Sequence, residues 1–483
     1  YPKSLVLSIC HLQKNSVLPK IPTVANLSYA GPGKEEMMKK TALAFMAGFV
    51  LFGLSSRLPA QMDNLTNLSV EWMRMPARNA ASDSADIVVY NPAALVRLGE
   101  GFHFNLGNQS LLRKPSHTYD MGFGSGERTF SQEGIDAFLP NFYAAYTKDK
   151  WALYGGIYIS GGGAVANYPH GSITTDLISM FVMGFPVLDD NGQPTGLFYG
   201  DLYQGTKDQY LKASSYYLTG TLGGAYAISD ALSASLGLRY IRAVNKTKLG
   251  MTLADSPWAY PDQPLAFDTE DKASGLGFVL GLNYAASPKL DLAAHYESKV
   301  KLDFKTTVNK DDIGLAQDGA KSRRDLPAVL YLGAGYRWND KLQMLVDFNY
   351  YFQSAANWGA TEVNGMEKKW ADVAGDCYAA GIGLSYKLCD RFLLSAGTVF
   401  TKFLFKDKEL YYTRLGEFEA PKNDNWNSGI GFAYKACAKL TLNLALGVTF
   451  WKAGEITQMF VLPTQVKVKA YAYSLSVGAN IDL

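Results

Sequence analysis

The chain ends in a strict two-residue alternation, and no other feature narrows its possible folds so far. From Tyr471 to Leu483 the odd positions are Tyr471, Tyr473, Leu475, Val477, Ala479, Ile481 and Leu483. The even ones are Ala472, Ser474, Ser476, Gly478, Asn480 and Asp482. Successive side chains of a strand point to opposite faces, so this segment carries one apolar face and one small, polar face. A helix would instead repeat its apolar residues at i, i+3, i+4 and i+7. The same alternation returns at 440–450, 342–350 and 232–240, with leucine, methionine and aromatics on one face and Thr, Asn, Gln, Asp, Ser, Gly or Arg on the other.

An apolar strand face can be covered by a second sheet or by lipid, and the ends of the strands decide between them. Short polar turns recur at 148–150, 229–230, 287–289, 339–341, 389–390 and 435–439. Just before them, on the apolar face, stand Tyr146, Tyr226, Tyr284, Tyr336, Trp338, Tyr386 and Tyr434. Amphipathic rings placed this way form the girdle of a membrane barrel at its water interface. Longer polar segments alternate with the short turns, the longest from Gly161 to about Ala213. Strands are expected near 102–112, 139–148, 151–160, 214–228, 231–245, 273–286, 289–303, 326–338, 341–352, 374–388, 391–402, 426–436, 439–451 and 466–483. The expected fold is therefore all-β, a transmembrane antiparallel β-barrel of fourteen strands over 102–483, with both of its ends on the short-turn, periplasmic side.

Composition agrees with this reading. Mean hydropathy is −0.07, as expected when every strand alternates lipid-facing and lumen-facing residues. A net charge of +2 gives no reason to expect nucleic acid as a partner. Cys377, Cys389 and Cys437 follow the amino-terminal region with no CxxC and no histidine at zinc-ligand spacing, so neither a metal nor another cofactor is expected. Cys389 and Cys437 both fall in short turns and could approach each other, but spacing alone cannot establish disulfide geometry.

Upstream of the strands the chain divides in three. Residues 37–60 read as a bacterial secretory signal peptide: Lys39 and Lys40, an apolar core over 41–54, and the small-residue site Leu58-Pro59-Ala60. Residues 1–36 precede a plausible start methionine, show no periodicity and are expected to be leader sequence. Residues 61–101 do not alternate and are too short to fold alone. A barrel lumen would order them, so they are expected to form a hatch.

Within that segment Arg78-Asn79-Ala80-Ala81-Ser82, Ala85-Asp86 and Asn91-Pro92-Ala93-Ala94-Leu95 resemble the amino-terminal hatch of the FadL/TodX family of outer-membrane transporters. The resemblance implies facilitated diffusion of long-chain fatty acids or aromatic hydrocarbons across the bacterial cell outer membrane. It implies capture in apolar loops and sideways exit into lipid through a kink in the third strand. Asn91, Pro92 and Ala93 would then belong to the gate. In the third strand, Gly155 and Gly156 are candidates for the lateral opening, because glycine in a strand interior often marks a bulge; Gly161-Gly162-Gly163 reads as the start of a flexible loop. Phe181, Met183, Phe185 and Phe198 in the 161–213 loop would capture ligand, or pack into a small core of their own. Parity places Arg239, His295, Glu297, Lys299, Arg337 and Lys387 in the lumen, with Arg239 the candidate for a fatty-acid carboxylate. The expected partners are the hydrophobic ligand, outer-membrane lipid and the barrel assembly machinery, and the barrel is expected to be a monomer. The chain has no Gly-x-Ser-x-Gly elbow, so an outer-membrane lipase is not expected. A haem-binding or adhesive surface protein and a general porin are the alternatives.

Overall fold

A computed structural model describes residues 67–483, except 123–125, 190, 192, 364–365, 416–417, 420–421 and 460–462. The expected leader and signal peptide, and residues 61–66, lie outside the described residues.

Fourteen strands span the membrane: β1 (Gly101–Arg113), β2 (Asp136–Lys148), β3 (Trp151–Tyr168), β4 (Gly205–Ala227), β5 (Leu232–Ala254), β6 (Gln263–Ser287), β7 (Leu290–Glu297, continuing as Asp303–Asp311), β8 (Ala328–Arg337), β9 (Leu342–Phe352), β10 (Cys377–Lys387), β11 (Phe392–Phe403), β12 (Asn425–Cys437), β13 (Leu440–Met459) and β14 (Pro463–Asp482). Each pairs antiparallel with its neighbours in sequence. β1 also pairs with β14, from His103↔Asp482 to Arg113↔Ala472, which closes the barrel. Closure removes the sheet edges that lipid could not satisfy with hydrogen bonds.

The two faces are sorted as the alternation requires. On β5, Leu236, Leu238 and Tyr240 are exposed toward lipid while Ser233, Ser235 and Arg239 are buried inside. On β13, Leu442 and Leu446 point out and Asn443 points in. Tyr226, Tyr284, Tyr336, Trp338 and Tyr386 remain exposed beside the short turns, forming the periplasmic girdle.

Two features depart from the sequence reading. First, β4, β5 and β6 run for 23, 23 and 25 residues, well beyond the apolar band. Second, β7 is broken at 298–302. Glu297 and Ser298 are both buried, and from there the even residues Val300, Leu302 and Phe304 face inward. A bulge inserts one residue and reverses the phase of all that follow. Lys299 is therefore exposed instead of luminal. Gly275 and Gly277 make room for the break, since a Cβ on them would lie 2.3 Å from the Lys301 carbonyl oxygen and 2.7 Å from Val300 Cγ2 respectively. Cys389, in a turn, and Cys437, at the end of β12, are both free and exposed, so no disulfide joins them.

The long-loop ends form a continuous cap. It draws Tyr119, Ile178, Val182, Tyr199, Leu253, Phe267, Trp358, Trp370, Tyr411 and Val468 from successive connections into one buried apolar cluster. Helix α2 (Ile173–Met183) lies in this cap, its N-terminus capped by Ser172, which accepts from Thr175 N; α1 is the hatch helix Val70–Arg74.

Candidate functional site

The lumen below the cap is filled by the hatch. Residues 67–97 fold into α1 and two short 3-10 turns, Ala85–Val88 and Pro92–Arg97. Nearly all of the hatch up to Leu95 is buried. The barrel wall bares glycines to receive it: a Cβ on Gly429 would lie 1.8 Å from the Met73 carbonyl oxygen, and one on Gly381 2.6 Å from that of Pro76.

A polar knot holds the hatch in shape. Arg78 donates to Asp86 at 2.6 Å and to Asp83 at 2.6 Å, and both the Arg78 and Asp86 side chains are fully enclosed. Ser69 donates to Asp86 at 2.8 Å. The knot is tied to the wall through Asp347, whose carboxylate accepts from the backbone N–H groups of Arg78 and Asn79. Asn79 also donates to Asn349 at 2.7 Å. Asn91 donates to Asn283 of β6 at 2.8 Å, and the Ala93 carbonyl accepts from Ser233 of β5 at 2.6 Å. Pro92 and Ala93 are buried beside them.

Glu71 on α1 meets three strands at once. Its Oε1 accepts from the side-chain amides of Asn105, Asn443 and Asn480, at 2.8, 2.8 and 2.9 Å. Burial pushes the carboxyl up to about 6, with Asp86 acting in the same direction and Arg74 and Arg78 opposing it. The seated hatch therefore holds this proton more tightly than a hydrated, unseated one. Its contribution to seating is present below about pH 4.5 and is lost as pH rises through about 6, a difference on the order of 2 kcal/mol. Protease cleavage within 67–97 should accordingly be slower at pH 5 than at pH 7.5, with Glu71→Gln removing the difference. An unchanged pH dependence in Glu71→Gln would assign it to another group.

The barrel wall itself is interrupted between β2 and β3. The two strands pair from Lys148↔Trp151 to Phe142↔Ile157 and then separate. Contact resumes where Val165 N donates to Asp136 Oδ1 at 3.1 Å and Glu133 N donates to the Asn167 carbonyl at 2.8 Å. Between these limits lies a window. Pro140 on its β2 edge has no N–H to offer a neighbour, and proline is confined to strand edges for that reason. On the other edge β3 bulges twice against β4, between Ile159 and Gly161 and between Gly162 and Ala164. Gly162 has φ +66°, and a Cβ there would meet the Ser215 carbonyl oxygen at 2.2 Å, so only glycine fits.

Side chains of β1 patch the other edge of β2, where the β1–β2 register shifts between Gln109 and Leu111. Asn108 Oδ1 accepts from Leu139 N at 3.0 Å, while Asn108 and Ser110 both donate to the Ala137 carbonyl. Behind the window sits the start of the hatch. Asn67 and Leu68, with Gln109, Leu139, Pro140 and Tyr158, line a recess of about 20 Å³. Gln109 donates to the Asn67 carbonyl at 2.8 Å and Tyr143 to that of Leu68 at 2.6 Å.

The expected site residues are thus distributed differently from the sequence reading. Gly155 and Gly156 are regularly paired on both sides, with Ala144 and Leu222 and with Tyr143 and Thr221. The bulges begin three residues later, and 161–163 belong to the strand, not to a loop. Asn91, Pro92 and Ala93 pack on β5 and β6, away from the window, whose backing is Asn67 and Leu68. Phe181, Met183, Phe185 and Phe198 are half-buried on the cap, with Phe181 and Phe185 packed edge to face at 4.3 Å. Arg239 is buried and ion-paired with Glu297, and also donates to the Ser298 carbonyl at 2.8 Å. It thereby satisfies an acceptor at the β7 bulge, and a ligand carboxylate would have to displace Glu297 to reach it. His295 is buried against Tyr331, Arg337 pairs with Asp291 near the periplasmic mouth, and Lys387 pairs with Asp390 in a turn.

No curated protein sequence matches this chain. Among solved structures, a Pseudomonas aeruginosa FadL homologue is similar over 87% of this chain and 99% of its own, at 15% identity and a TM-score of 0.59. The Ralstonia pickettii toluene transporter TbuX is similar over 87% and 99%, at 16% identity and a TM-score of 0.53. The Pseudomonas putida toluene transporter TodX is similar over 88% and 100%, at 16% identity and a TM-score of 0.54. At these identities the likeness concerns the fold: a closed barrel with its amino-terminal segment inside. The family model for outer membrane protein transport proteins (OMPP1/FadL/TodX) matches residues 201–482, more than half of the chain, and the chain belongs to that family of outer-membrane transporters.

Proposed function

We propose that this transporter passes small hydrophobic molecules, monoaromatic hydrocarbons or long-chain fatty acids, by passive diffusion, and releases them sideways through the window between β2 and β3. The observation that carries this reading is the interrupted pairing of β2 and β3 with the hatch directly behind it. A greasy solute gains nothing by entering an aqueous periplasm, where each exposed CH₂ costs roughly 0.8 kcal/mol. An opening at membrane depth lets it pass from protein to lipid without that exposure. Movement of Asn67 and Leu68 would widen the recess, and the half-buried rings of Phe181, Phe185 and Phe198 offer a capture surface on the cap. Two neighbours in fold are toluene transporters by name, which favours an uncharged aromatic ligand and needs no free cation at Arg239.

A general porin requires open water through the lumen, whereas here the hatch and cap fill both ends. The readings separate in cells whose other porins are deleted. Expression should raise uptake of radiolabelled toluene or oleate and leave glucose uptake at background. Equal stimulation of glucose uptake would overturn the proposal in favour of a porin.

A further inference from the structure

Above the apolar band, the outward faces of β4 to β8 carry like charges directly opposite one another. Lys212 of β4 stands against Lys248 of β5. Lys272 of β6 stands against Lys305 of β7, and Lys305 in turn against Lys321 of the short strand Lys321–Arg323 before β8. Opposed like charges destabilise a sheet, so a row of three lysines across adjacent strands calls for an anion. The chain supplies too few. Glu270 bridges Lys246 and Lys272, and Asp268 pairs with Lys248. Lys212, Arg242, Lys305 and Lys321 have no acidic partner within 4.0 Å among the described residues. On β13 and β14, by contrast, the outward Lys467 stands opposite Glu455 and pairs with Glu127.

The height of the cluster indicates the kind of anion. Tyr240, Leu238, Leu276 and Leu218 are exposed to the bilayer. Arg242 follows Tyr240 on the same face, about 7 Å further along the strand, and Lys246 lies about 20 Å beyond Tyr240. The cations therefore begin where the apolar surface ends, on the cap side, at the level of the outer-leaflet headgroups. A soluble polyanion would use the charges alone. A lipid with phosphates on its headgroup would use both zones.

We propose that this face of β4–β8 binds the phosphorylated headgroup of an outer-leaflet glycolipid, whose acyl chains lie on Leu218, Leu238 and Leu276. Bound phosphate relieves the lysine–lysine repulsion, and basic clusters at a membrane surface bind anionic headgroups in this way. The inference stands apart from the transport reading, because it concerns the outer wall.

The test uses the whole barrel in neutral detergent, titrated with bis-phosphorylated lipid A, with lipid A stripped of phosphate, and with inorganic phosphate. Binding is read by native mass spectrometry. The triple variant Lys272→Gln, Lys305→Gln, Lys321→Gln should bind phosphorylated lipid A about tenfold or more weakly than wild type, and phosphate-free lipid A should bind wild type comparably weakly. Without lipid, the variant should melt at or above the wild-type temperature, because repulsion has been removed. Equal binding by variant and wild type, or equal binding of the two lipids, overturns the proposal. So does inorganic phosphate competing away lipid A at equal concentration, which would reduce the site to a free-anion site. If the triple variant does not fold, Lys305→Gln alone removes two of the three opposed pairs and is read the same way.

Discussion

Removal of residues 67–97 should turn a closed barrel into a conducting pore. The hatch occupies the lower lumen, and the wall behind it carries glycines and small polar side chains that would leave open water once it is gone. Eight-stranded barrels are filled by their own side chains, whereas sixteen-stranded ones hold an aqueous channel; fourteen strands without a plug stand near the second case. Single-channel conductance in planar bilayers should therefore rise by at least about tenfold. Arg78→Met gives the same answer without shortening the chain. It leaves Asp86 buried without its partner, and breaking such a pair costs about 3–5 kcal/mol. The knot should loosen and the barrel should open intermittently. A folded deletion barrel, recognised by heat-modifiable gel mobility, that stays as closed as wild type would show that the cap alone seals the pore.

The barrel was legible because lipid imposes a single phase on every strand. Leu236, Leu238 and Tyr240 face out and Ser233, Ser235 and Arg239 face in, so the alternation and the turns together yield fourteen strands. The strand tops were not legible, and β5 shows why. Beyond the membrane the outer face becomes Lys246 and Lys248, while the inner face becomes Leu249, Met251 and Leu253 under the cap. Apolar residues thus change faces partway along one continuous strand. Periodicity reads that reversal as the end of the strand. The break in β7 has the same character: one added residue at Glu297–Ser298 carries Lys299 from the lumen to the outside.

The hatch was legible as a segment without a core of its own, but not which part of it meets the window. Asn91-Pro92-Ala93 carries the resemblance and packs on β5 and β6, whereas Asn67 and Leu68, which back the recess, belong to no motif. The sequence did contain signals for the window. Pro140 lies within an alternating strand, where it marks an edge, and the run Gly161-Gly162-Gly163 stays in the strand, with its bulges, only because tertiary pairing with β4 holds it there. Glycine runs favour loops in isolation, which drew the sequence reading to Gly155 and Gly156 instead. Glu71 gave no local signal either, since its three asparagine partners come from the two ends of the barrel sequence.

Deleting Ser160 and Gly163 together should abolish uptake of hydrophobic substrate while leaving the barrel folded. Between Ile159 and Ala164 the third strand carries two residues more than the partnered stretch of β4, one at each bulge. The same excess appears against β2. From the last pair, Phe142↔Ile157, to the resumed contact of Asp136 with Val165, β2 advances six residues and β3 eight. Two surplus residues must bow β3 away from β2, and the bow is the window. Without them, Asn141 to Asp136 would face Tyr158 to Val165 one for one, with inward and outward faces unchanged, because the deletion is even. Backbone groups of the two edges beyond Phe142 and Ile157 would then pair across the closed wall, the stable arrangement where lipid offers no partner. Toluene or oleate uptake should then fall to the background of cells lacking the protein. Pro140→Val should deepen the loss if residual uptake persists, by restoring the missing donor. Full uptake by the folded deletion variant would place the exit elsewhere, at the periplasmic mouth past a displaced hatch.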